Sequence, residues 1–138
     1  MSSMATREVV EKWLSQVHED ISAAECMYRG GHWLYVGFLC HQAIEKALKA
    51  YYIATHDDDP RYTHSHTILI ADCGLTDKFS PEQLRFIDMM VPMYIRARYP
   101  EYKRAVAQTL DKKICKDILT RTTEITSWLE QLLQGSRQ

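Results

Sequence analysis

Glycine and proline are scarce in this chain, at five and four among 138 residues. A fold of many short strands needs turn residues every few positions, so this count disfavours a sandwich or a barrel. An excess of one charge sign is lacking too. Seventeen Lys and Arg stand against eighteen Asp and Glu, a formal net charge of −1 with a pI of about 6.6. No global field then draws the chain to nucleic acid or anionic lipid. No apolar run is long enough to span a bilayer, and residues 1–8 lack an apolar signal region, so no membrane partner is expected. Cys26, Cys40, Cys73 and Cys115 show no paired spacing such as CxxC. That pattern points to reduced thiols and a cytoplasmic location. There is no Gly-rich phosphate loop, nucleophile elbow or HExxH, and no cofactor is expected.

What is present is typical of one globular domain over residues 1–138: 46% hydrophobic and 25% charged residues. A chain of this length can bury roughly 70% of its unfolded surface. Apolar residues recur at helical spacing and no strand alternation is convincing, so the class is all-α, an antiparallel bundle of about five helices, four long and one short. The first helix is expected over 6–28 with Thr6 as N-cap, broken by Gly30-Gly31. The second runs from about His32 to Thr55. A short one over 66–73 ends at Gly74. Ser80-Pro81-Glu82-Gln83 opens the fourth, carried to about Arg98 with Pro92 inside it and a kink near residues 88–92, and stopped by Tyr99-Pro100. The last begins near Thr109, with Asp111 in its first turn, and ends at Gly135.

His41-Gln-Ala-Ile-Glu-Lys-Ala-Leu-Lys-Ala50 is the most telling stretch. On a helix, His41, Glu45 and Lys49 fall within about 80° of each other, with Gln42 and Lys46 beside them. Tyr35, Phe38, Leu39, Tyr52 and Ile53 flank that polar stripe on its own side. A helix apolar nearly all round is normally buried, and its polar groups then need partners. This helix is expected to run through the middle of the fold and carry an internal polar cluster.

Arg98 continues the stripe Leu84, Ile87, Val91, Tyr94, which should face the core. An arginine there wants a carboxylate or a phosphate, because its planar fork binds two oxygens at once. Glu45 is the obvious internal carboxylate, and a purely structural Arg98–Glu45 pair is the plain alternative to a ligand site. Glu45–Lys49 alone also fits an ordinary i,i+4 helix pair. Thr63-His-Ser-His66 has an HxH, but helix capping by Ser65 or Thr63 explains most of it, and no metal is expected. Lys103, Arg104, Lys112, Lys113 and Lys116 form a solvated face.

The 41–50 stretch, then a Thr-His element before a short helix, then Arg98-Tyr-Pro100, together resemble the HEPN domain of prokaryotes over roughly residues 8–130. The resemblance implies a helical bundle that is usually a homodimer. Many members work with a minimal nucleotidyltransferase as a toxin–antitoxin or nucleotide-handling pair. The positions carried over are Gln42, Glu45, Lys46, Lys49, one histidine of residues 63–66, with His66 preferred for its following Ile68, and Arg98, Tyr99 and Pro100. Ribonuclease members use Arg, four to six residues, then His, near the later helices. Here no histidine follows His66, and Arg61 to His66 has the spacing in the wrong segment. The resemblance therefore points to a homodimeric binding module without catalytic residues, pairing with a minimal nucleotidyltransferase or binding a nucleotide in a polar cleft of Glu45, Lys49, His66 and Arg98. A ribonuclease toxin acting on RNA, or a purely structural interaction protein, are the alternatives.

Overall fold

Helix α2, Trp33–His56, is the centre of the computed structural model, which describes residues 3–94 and 100–136. It packs against α1 (Met4–Arg29), α3 (His66–Asp72), α5 (Pro100–Ala107), α6 (Lys112–Ser136) and the 3-10 turn Val91–Met93. Val36, Cys40, Ala43, Ile44, Ala47, Leu48 and Ala50 are all inaccessible to solvent. The small side chains Ala43, Ala47 and Ala50 leave room for close neighbours on several sides, which is how a helix apolar nearly all round becomes a central one.

The described residues form six α-helices and no strand, against the expected five helices. The additional helix is α5. Pro100, read as a stop, opens it, because proline's missing N–H costs nothing at a first helical position. The N-cap of α1 is Ser3, whose Oγ accepts from the Thr6 N–H at 3.0 Å, so Thr6 sits one turn inside its expected place. The cap of α6 is likewise Asp111, whose Oδ1 accepts from Ile114 N–H at 2.8 Å. The start expected near Thr109 therefore moves to Lys112.

Helix α4, Pro81–Met90, opens on the anticipated capping box of Ser80 and Gln83. It does not continue through Pro92. The helix tightens into the 3-10 turn and Tyr94 turns extended, with ψ 104°. That corrects the expected stripe. Phe86, Ile87, Met90 and Met93 face the core, while Leu84 is half-buried and Val91 is 61% exposed. Tighter winding after Met90 swings Met93 inward in place of Val91. Gly37 makes this possible, since a Cβ there would lie 2.6 Å from Met93 Sδ.

One core does not hold all of the large apolar side chains. Met90 is fully buried, and Trp33 and Trp128 pack half-buried against the core, as Trp13 does against a smaller cluster of Val10, Ala50, Ile53 and Leu133. The exposed surplus includes Met89, Val91, Tyr102 and Ile114. Met89 and Ile114 line a groove of about 950 Å³ with Pro92, Met93, Val106 and Leu110. No helix of the described residues is long and apolar enough to cross a membrane.

Candidate functional site

Three buried polar side chains lie on one side of α2: His41, Glu45 and Lys49. Glu45 is 4% exposed and both its oxygens are occupied. Lys49 Nζ donates to Oε2 at 3.0 Å, and His64 Nδ1 meets Oε1 at 3.0 Å. Lys49 Nζ also lies 5.9 Å from the centre of the Trp13 ring on α1. Glu45 thus ties its own helix to the segment leading into α3.

Several devices hold that segment. Ser65 caps α3, its Oγ accepting from Ile68 N–H at 3.2 Å. At the other end of α3, Gly74 takes φ +70°, the left-handed geometry that closes the helix. Arg61 makes a two-pronged pair with Asp72, Nε at 2.7 Å and Nη2 at 2.9 Å. These contacts fix the chain before and after His64.

The histidine that reaches Glu45 is His64, not the preferred His66. His66 is the first residue of α3 and points inward. Its Nε2 donates to the backbone carbonyl of His41 at 3.0 Å, and its ring stacks on the His41 ring at 3.9 Å. His64 precedes the extended cap Ser65 (φ −83°, ψ 116°) while His66 is already helical, so the two rings leave the chain at different places and only His64 reaches Glu45. His66 still belongs to the cluster, one ring deeper. Tyr94 joins them, 4.5 Å from His64 and 5.3 Å from His41.

Burial governs the electrostatics. His41 is pushed down to about 3, first by desolvation and then by repulsion from His66 and His64. His66 is pushed down to about 4 by desolvation, opposed by its bond to the His41 carbonyl and by Glu45. Both rings are neutral at physiological pH. His66 therefore carries its proton on Nε2, since a carbonyl can only accept. Its Nδ1, the Nδ1 of His41 and the Nε2 of Gln42 are buried without a hydrogen-bond partner among the described residues.

Other expected positions fall as follows. Lys46 Nζ lies 2.8 Å from Asp20 Oδ2 on α1, close enough for a charge pair though not aligned as a hydrogen bond, so it faces away from Glu45. Gln42 is half-buried beside it. Arg98 and Tyr99 lie outside the described residues, and so does any Arg98–Glu45 pair. The Arg61–His66 spacing brings no catalytic pair together: Arg61 is engaged by Asp72 at the surface and His66 is in the core. No group of three metal-ligating side chains occurs among the described residues. Sequence reasoning missed Asp20, and it placed Tyr94 only in a core stripe. His64 was within reach as the alternative in the HxH.

A family model for the HEPN domain matches residues 10–132. The chain is similar in structure to TT1696 from Thermus thermophilus, at 22% identity and TM-score 0.75, covering 88% of this chain and 96% of that one. It is also similar to ST0689, an archaeal HEPN homologue, at 23% identity and TM-score 0.71, covering 90% and 97%. A search of curated proteins finds no match.

Proposed function

Since the chain belongs to the HEPN domain family, we propose that it is a binding module that takes a nucleotide at the Glu45–His64–Lys49 cluster. The observation that carries this is the surplus of buried polar atoms. An architectural ion pair needs Glu45 and Lys49 alone. Here His64 is added, and His41 Nδ1, His66 Nδ1 and Gln42 Nε2 have no hydrogen-bond partner among the described residues. Each such orphan costs about 1–3 kcal/mol unless something satisfies it. A ligand with several donors and acceptors would do so. In this reading Arg98, which lies outside the described residues, is the two-pronged partner of a phosphate.

The module works as a homodimer beside a minimal nucleotidyltransferase. The groove under Met89 and Ile114 supports the dimer, since clustered exposed apolar side chains favour an interface. Light scattering should give twice the 16.1 kDa chain mass at micromolar concentration, and the monomer mass would remove the dimer. Co-expression with a minimal nucleotidyltransferase encoded alongside tests the pairing by co-purification.

Calorimetric titration with ATP, GTP, CTP and UTP tests the site. Saturable binding that Arg98→Ala abolishes, with an unchanged melting temperature, is the expected result. Lysine at that position should not rescue it, because a point charge does not replace a two-pronged fork. No saturable binding of any nucleotide would overturn the reading.

A further inference from the structure

The rings around the cluster form a ladder that leads outward. Phe38 and Tyr94 stack with centres 6.3 Å apart, and Tyr94 and His64 at 4.5 Å and 18°. His41 and His66 branch inward from Tyr94, and each has a buried Nδ1 without a hydrogen-bond partner among the described residues. At the outer end Tyr62 meets His64 edge-on, at 5.3 Å and 74°. Tyr62 is 84% exposed, the most exposed large apolar side chain among the described residues.

An exposed tyrosine on a loose loop would mean little. This one is bracketed. Arg61, one residue before it, is clamped to Asp72. Thr63, one residue after it, accepts the Ser65 N–H on its Oγ1 at 3.1 Å, and His64 is tied to buried Glu45. The backbone on both sides is held, so little ordering entropy remains to be lost when something stacks on the ring. A pre-positioned flat ring beside a charged cluster fits a ligand that joins a flat ring to a charged group.

We propose that Tyr62 is the stacking platform for the base of the nucleotide bound at Glu45, His64 and Lys49. This rests on the nucleotide reading above and adds to it where the base lies. Stacking on a tyrosine face is tolerant of base identity, so Tyr62 contributes affinity for all nucleotides and little choice between them.

The test titrates ATP, AMP and ribose 5-phosphate, which keeps the sugar phosphate and lacks the base, into wild type, Tyr62→Ala and Tyr62→Phe. Tyr62→Ala should weaken both nucleotides by about 5- to 150-fold and leave ribose 5-phosphate unchanged. Tyr62→Phe should stay within about twofold of wild type, since the face is kept. The melting temperature should not move, because the side chain is exposed. Nucleotides bound equally well by wild type and Tyr62→Ala would overturn this inference while leaving the binding site standing. Equal weakening of nucleotide and ribose 5-phosphate would overturn it too, by showing that Tyr62 acts on the sugar phosphate. No nucleotide bound by wild type would overturn both readings.

Discussion

Mild acid should destabilise this fold, and two histidines should account for most of the loss. His41 and His66 are 2% and 3% exposed, and burial pushes them down to about 3 and about 4. In the unfolded chain each titrates near 6.5, about the value of a free histidine. The unfolded chain therefore binds more protons across the window between, and acid favours it. The sign is that of a depressed group: its contribution is whole above pH 6.5 and is lost as pH falls toward 4 and 3. Going from pH 7 to pH 5, each ring costs about 2 kcal/mol, and the pair about 4. Among the described residues, the charged and titratable groups around them are His64, Glu45, Lys49 and Tyr94. Urea unfolding at pH 7, 6 and 5 measures the loss directly. His41→Phe sharpens the test. It keeps a ring against Tyr94 and His66, and it leaves the His41 backbone carbonyl that His66 uses. That variant should lose about 2 kcal/mol over the same range, half the wild-type loss. A wild-type stability flat from pH 7 to 5, or a variant that loses as much as wild type, would refute the reasoning.

Other perturbations have equally definite outcomes. Gly37→Ala drives a Cβ to 2.6 Å from Met93 Sδ, and a thermal melt should show about 1–3 kcal/mol of destabilisation from overpacking. An unchanged melt would mean that the 3-10 turn shifts freely. Glu45→Gln leaves Lys49 as a buried charge without its counter-ion and should cost about 3–5 kcal/mol, while pairing it with Lys49→Met should cost less than the sum of the two singles. Additive effects would argue against coupling between them. Ser65→Ala removes the cap of α3 and should lower stability by about 1 kcal/mol, with amide exchange rising first at Ile68.

The bundle was legible because its signals are local. Apolar spacing located α1, α2 and α6 to within a few residues, and Ser80 to Gln83 fixed the start of α4. The buried polar stripe on α2 was legible for the same reason: His41, Glu45 and Lys49 share one turn-spaced face. What was not legible depends on contacts between distant segments. Whether His64 or His66 meets Glu45 is decided by how α3 lies on α2. The partner of Lys46, Asp20, is set by the pairing of α1 with α2 and has no signature along the chain. Pro92 and Pro100 depart from expectation in opposite senses. The first ends a helix instead of bending it, and the second begins one.

The central position of α2 constrains how this protein can change. Its inaccessible alanines pack in the core while Glu45 and Lys49 pair on another side of the helix. If the cluster takes a nucleotide as proposed, a substitution along that helix is judged twice, once by packing and once by binding. The stretch from Arg61 to Ser65 is less bound by packing: its side chains are exposed or half-buried, and Arg61 and His64 tie it to α3 and α2, through Asp72 and Glu45. Divergence in ligand preference among related chains should concentrate there, with the keel helix held nearly constant beneath it.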